Sequence, residues 1–345
     1  RPLVSRAGTA IGAGGTEGSV CQYGIAGHGH LDIWGCQEAI GWVCTGRVSA
    51  RRSKMASMSP LINPADGPAD DARTVFASHT AVGPAGGGRY DAHMHASWWI
   101  VNGPNGGYVA AVILRAMIAE VDDPRRRPRS MTLHYLRAPV EGPVQVQVTV
   151  ERTGRSVTNV SARMVQEGKL LVVALGVLAT ERPSTITFDE GPGLPLLADG
   201  SPVPMPESIP RVEVDPDRDV PMRRHYELRW VLGDLPFRPS AAGERKALTG
   251  GWLRPAEPEP IDETVLAAMT DAWMPPIFSR VDQPIAVPTI DLTIHFRGLA
   301  KDPKDFCFVV FDSPLASDGY LVEHGRILDR DGRLLAESRQ LAVVA

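Results

Sequence analysis

The chain is 345 residues long, with 36 Lys and Arg set against 40 Asp and Glu for a formal net charge of −4. Such a field gives no reason to expect a nucleic acid as partner. No stretch approaches the roughly 18 consecutive apolar residues of a membrane-spanning helix, so no membrane span is expected, and the length suits two compact units.

Residues 1–54 are Gly-rich, carry no sustained hydrophobic period and begin at Arg1. They lack the basic start, apolar run and small-residue cleavage site of a secretory signal. The glycines from Gly12 to Gly18 do not have the spacing of a nucleotide-binding loop. His28, His30, Cys21, Cys36 and Cys44 are too irregularly spaced to predict a metal site. Residues 1–72 are therefore expected to form a disordered or non-native extension, with Met55 or Met58 as the true start. The fourth cysteine, Cys307, stands alone in the rest of the chain. That excludes an internal disulfide framework there and suits a reducing compartment, the cytoplasm by default.

Residues 73–182 read as a first structural repeat. Asn105-Gly106-Gly107 leads into a helix predicted over Tyr108–Ile118. Ser130–Arg137 opens a β-rich stretch, Glu167-Gly168-Lys169 has the chemistry of a hairpin turn, and Val172–Ala179 suits a buried strand. Residues 183–221 are Pro-rich with little periodicity and read as a linker. Residues 222–345 then repeat the pattern. Asp262 caps a helix predicted over Glu263–Trp273, which Pro275 and Pro276 stop. Ile290–Arg297 answers to Ser130–Arg137, and Asp331-Gly332-Arg333 answers to the first hairpin turn. Ile290, Leu292, Ile294 and Phe296 share one strand face, while Asp291, Thr293 and His295 share the other. The predicted class is α+β, each half a long helix against a curved antiparallel sheet, the halves joined sheet edge to sheet edge.

Three places in the second half carry a family resemblance. The second helix contains Thr270-Asp271-Ala272, Pro288-Thr289-Ile290-Asp291 opens a strand, and Leu335-Ala336-Glu337-Ser338-Arg339-Gln340 forms the last one. With Gly106-Gly107 at the start of the first helix, and in this order, they resemble the double hot-dog fold of the type II acyl-CoA thioesterases. The resemblance spans roughly residues 73–345 and implies Asp271, Thr289 and Gln340 as catalytic residues. Superposing the halves sets Ala111 against Asp271, Arg129 against Thr289 and Gly176 against Gln340, so one catalytic site per chain is implied.

Each residue also has a plainer reading. Val265, Leu266, Met269 and Trp273 form the apolar stripe of the second helix, and Asp271 points nearly away from it, as a solvated acid would. Yet Thr264, Ala267 and Ala268 on its side are small, which suits close packing against something. Glu337 and Arg339 mark the solvent face of the last strand, so Gln340 points inward and must find partners for its amide. A structural Gln bonded to backbone is the competing reading. Thr289 is an ordinary strand threonine by propensity alone. His295 reads as a polar-face histidine, and His93 with His95 do not make a metal site. Arg125, Arg126, Arg127 and Arg129 read as a solvated turn, with contact to CoA phosphates as the other reading.

The resemblance implies hydrolysis of acyl-CoA by a water that Asp271 deprotonates and that Thr289 and Gln340 orient. Backbone N–H groups of Gly106 and Gly107 are the expected oxyanion and substrate donors, because a glycine lets substrate approach the chain closely. No metal or other cofactor is required, CoA entering as part of the substrate. Trp98, Trp99 and Trp273 are expected either in the acyl cleft or in the core. A homodimer or larger homo-oligomer is implied by resemblance only. The alternatives are an acyl-CoA-binding protein without hydrolysis and an enoyl-CoA hydratase or dehydratase, the latter opposed by the lack of a His–Asp pattern.

Overall fold

The computed structural model describes residues 73–217, 219–238, 245–302 and 304–344. The expected extension over 1–72, with Met55, Met58 and the first three cysteines, lies outside them. The first half contains α1 (Val75–His79), β1 (Gly83–Gly86), β2 (Arg89–Met94), α2 (Gly106–Val121), β3 (Arg127–Tyr135), β4 (Gly142–Thr153), β5 (Val157–Gln166) and β6 (Lys169–Ala179). The second half contains β7 (Tyr226–Leu232), β8 (Leu248–Pro255), α3 (Glu263–Met269), β9 (Thr289–Phe296), β10 (Cys307–Ser317), β11 (Tyr320–Leu328) and β12 (Leu334–Val343). Setting aside α1, each half runs strand, strand, helix and then four strands. Between β6 and β7 the described residues hold only short 3-10 turns and an isolated bridge from Leu196 to Pro202.

All strands of the described residues join one 12-stranded sheet in the order β1-β2-β4-β5-β6-β3-β9-β12-β11-β10-β8-β7. The order reads the same from either end once each strand is replaced by its repeat counterpart, so the fold is a double hot-dog. The halves meet where β3 pairs antiparallel with β9, Thr132 opposite Thr293, with the two hydroxyls 3.1 Å apart. Among the described residues, joining them there leaves β1 and β7 as the edges.

The register corrects one detail of the superposition. Met131 and Leu133 are buried on β3, as Leu292 and Ile294 are on β9, so Thr132 answers to Thr293 and Leu133 to Ile294. A one-residue slip would turn every side chain to the wrong face. Thr289, paired with Ala342, therefore corresponds to Pro128, paired with Leu178, and not to Arg129. Gly176 does answer to Gln340: Met131 pairs with the one and Leu292 with the other.

Two turns follow from local chemistry. Glu167 and Gly168 take φ of 50° and 73° between β5 and β6, the positive-φ pair of a tight hairpin. Asn105 caps α2 by accepting from Tyr108 N at 2.9 Å. With no charge before Arg115, α2 buries every residue from Gly107 to Leu114 against the sheet and against α3.

The second helix is shorter than its sequence pattern predicts, ending at Met269 instead of Trp273. Thr270 Oγ1 donates back to Ala267 O at 2.8 Å, and the next amides tighten to 3-10 spacing, Asp271 N reaching Ala268 O at 3.4 Å. Asp271 thus stands just beyond the helix, in a turn whose direction periodicity does not specify.

Candidate active site

The first turn of α2 abuts the end of α3, and Gly107 permits it. A Cβ there would lie 2.4 Å from Ala268 O and 3.1 Å from Ala267 O, closer than a side chain tolerates. Ala267 and Ala268 are buried in this contact, and Thr264 is buried at the start of α3, which explains the lack of charge on this side of the helix. Gly106 is tight in another way: its Cβ would lie 3.0 Å from Asp271 Oδ2 and 3.3 Å from the Tyr135 hydroxyl. That hydroxyl donates to Gly106 O at 2.9 Å.

The close approach delivers Asp271 to the N-terminus of α2. Its Oδ2 accepts from Gly107 N at 3.2 Å and from Asn105 Nδ2 at 2.9 Å, and Asn105 Nδ2 also holds the Asp271 carbonyl at 2.5 Å. Free N–H groups and the helix dipole favour an anion there. Burial nevertheless dominates and pushes the Asp271 carboxyl up to about 6, against the pull of the Gly107 and Gly106 N–H groups and the Gln340 amide. The residue keeps a partly accessible surface.

Gln340 is 7 % exposed and hydrogen-bonded at both ends of its amide. Its Oε1 accepts from Thr289 Oγ1 at 3.1 Å, its Nε2 donates to Glu323 Oε1 at 2.6 Å, and the amide also acts on Asp271. The inward-facing Gln thus finds side-chain partners, not backbone ones. Asp271, Thr289 and Gln340, each from a different element, meet in one cluster, and Gly106 and Gly107 present their N–H groups to the same carboxylate.

Sequence reasoning missed three neighbours. Asn105 was visible as a helix-cap residue beside the double glycine but has a second task, positioning Asp271. Glu323 sits on the inward face of β11 between Leu321 and Ile327, an alternation that could have exposed it. Tyr226 is 4 % exposed, and its hydroxyl has no hydrogen-bond partner among the described residues. Burial and the Asp271 charge both hold that hydroxyl un-ionised.

Other sequence candidates lie elsewhere. Arg126 binds Asp123, Thr158 Oγ1 and Gly154 O, Arg125 binds Asp123, and Arg127 binds Glu263 at 2.7 Å. Trp98 is stacked between Tyr108 and His225, and Trp273 donates to Thr249 Oγ1 while stacking on Trp230, so both are core. His295 is exposed on β9. Among the described residues no helix is long and apolar enough to cross a membrane.

A desolvated carboxylate, a hydroxyl and an amide around one point, beside helix N–H donors, can bind and deprotonate a water. Comparison with known proteins agrees in kind. The family model described as the acyl-CoA thioesterase N-terminal domain matches residues 95–180, and that described as the acyl-CoA thioesterase C-terminal domain matches residues 206–344. An uncharacterised protein of Mycobacterium tuberculosis is 25% identical over 274 residues, covering 74% of this chain and 90% of its own. A hot-dog-fold protein of unknown function from Alicyclobacillus acidocaldarius superposes with a TM-score of 0.67 at 25% identity, over 79% of this chain and 98% of that one. An acyl-CoA thioesterase II from Mycobacterium marinum has the same fold, with a TM-score of 0.61 at 19% identity over 78% of this chain and 98% of its own. Matched in each half by a model of one family, and folded as its solved relatives are, the chain belongs to the double hot-dog acyl-CoA thioesterases.

Proposed function

We propose that the chain hydrolyses acyl-CoA to CoA and a fatty acid, by attack of a water held among Asp271, Thr289 and Gln340. The observation that carries this reading is the convergence of those side chains at the N-terminus of α2, through the Gln340 amide and the Gly107 N–H. Water oxygen adds to the thioester carbonyl as its proton passes to Asp271. The tetrahedral oxyanion then collapses, the C–S bond breaks, and Asp271 gives its proton to the departing thiolate, so that the fatty acid, the CoA thiol and an ionised Asp271 remain. Gly106 and Gly107 serve as oxyanion donors in this scheme. As Asp271 takes up the proton its demand on those N–H groups falls, while the demand of the carbonyl oxygen rises. The cytoplasm accompanies this reading through the free, buried Cys307 thiol.

Asp271→Asn keeps the shape and removes the base, so thiol release from acyl-CoAs should fall by about 10²–10⁴-fold. Wild-type turnover in this variant would sink the assignment. Acyl-CoA binding by the wild-type protein without any thiol release would point to a binding protein, and loss of enoyl-CoA absorbance to a hydratase. Because Asp271 works ionised, activity should rise as pH increases through about 6.

A further inference from the structure

Across from Gln340 lies a carboxyl that the hydrolytic scheme does not use. Glu323 on β11 pairs directly with Gln340 on β12, is 6 % exposed, and accepts from Gln340 Nε2 at 2.6 Å. Its inward neighbours on β11, Leu321, Gly325 and Ile327, are all buried. An aliphatic side chain would fill this place without the desolvation cost of a carboxyl. Two ionisable groups act on it, Asp271 beyond α3 and Asp312 on β10, and both are acids. Asp312 is itself met by His324 at 3.5 Å and Arg326 at 3.6 Å. From β9, Thr289 is linked to it through the Gln340 amide.

The geometry points to Glu323 as a proton-operated positioning residue of this site: neutral, it holds the Gln340 amide in place; ionised, it sets a second negative charge beside Asp271 and slows turnover. This rests on Asp271 being the base. A single net negative charge passes from Asp271 to the oxyanion during attack. A second carboxylate in the same poorly solvated space opposes both that oxyanion and the approach of an anionic CoA ester. Burial, then the Asp271 charge, push Glu323 up to about 8, with the Gln340 hydrogen bond opposing and Asp312 adding to the rise. Asp271 is held near about 6, so between the two only one of the pair carries charge.

Two measurements on the full chain and its Glu323→Gln variant test this. The first is kcat/KM against pH, followed by thiol release from an acyl-CoA. The wild type should give a bell, falling about tenfold per pH unit beyond the alkaline midpoint, as one ionisation requires. Glu323→Gln, which can still accept from Gln340, should keep the acid limb and lose the alkaline one; an unchanged alkaline limb overturns the proposal. The second is infrared difference spectroscopy of the carboxyl C=O stretch. A protonated-carboxyl band should be present in wild type at neutral pH and missing in the variant, and its absence from wild type also overturns the proposal. Failure of the underlying reading shows differently, as wild-type turnover in Asp271→Asn with the Glu323 band still in place.

Discussion

Gln340 is the residue on which most of the site converges. Its carbonyl accepts from Thr289 and its amide nitrogen donates to Glu323, while the same amide lowers the Asp271 carboxyl, which leaves one N–H and one lone pair for a water. Gln340→Ala should therefore act twice. Turnover should fall, by about 10- to 100-fold if one positioning contact of roughly 1.5–3 kcal/mol is lost, with a smaller change in acyl-CoA affinity. Thermal stability should also fall, because Glu323 loses a buried partner. Steady-state kcat and KM together with a melting curve check both; an unchanged kcat would remove Gln340 from the site. The inward direction of Gln340 was legible from exposed Glu337 and Arg339 on either side of buried Ser338. Its partners were not, because Glu323 and Thr289 lie 17 and 51 residues away in sequence.

Helix α3 shows what periodicity reads and what it leaves open. The apolar stripe and the Asp262 cap were correct, with Asp262 Oδ1 accepting from Thr264 N at 2.8 Å and Val265 N at 2.9 Å. Extending the helix to Trp273 was wrong, although Trp273 is buried with the stripe, because Thr270 bonds back into the helix and Asp271 is drawn to α2. The two glycines at the start of α2 are expected to fail differently. Gly107→Ala forces the helices apart at Ala268 O and should cost about 1–3 kcal/mol as an overpacked core position does, read as a lower melting temperature. Gly106→Ala presses on Asp271 Oδ2 and should lower turnover more than stability. If Gly107→Ala melts like wild type, the close approach is not what requires glycine there.

At the scale of the molecule, a histidine cluster bridges the two halves. His79 of α1 stacks on His95 at 3.7 Å, and His225, just before β7, stacks on Trp98 at 3.9 Å. His225 Nε2 lies 3.0 Å from Ser97 O, which requires an N–H there. Burial pulls His225 down to about 4, with Arg224 adding to the fall and the Ser97 hydrogen bond opposing it. Burial followed by His79 and His93 does the same to His95, also to about 4. The unfolded chain binds protons at these positions from about pH 6.5 downward, while the folded chain resists until about 4. Their contribution is therefore complete above about 6.5 and is lost as pH falls toward 4. Asp271 and Glu323, raised by burial, act with the opposite sign. Comparing His225→Gln with wild type isolates the histidine term: the variant's melting temperature should fall less between pH 6.5 and pH 4, by the equivalent of at most about 3 kcal/mol. Parallel curves would show that His225 carries none of the acid sensitivity.

The duplicated order of elements, two hairpin turns, the helix starts and the inward or outward sense of β9 and β12 were legible in the chain. They depend on near neighbours and on periods of two and 3.6 residues. The meeting of Asp271 with Gly107, of Gln340 with Glu323, and of β3 with β9 in its true register emerged only on folding. Those contacts join segments far apart along the chain, and their partners are chosen by helix approach and sheet register, which no local pattern encodes.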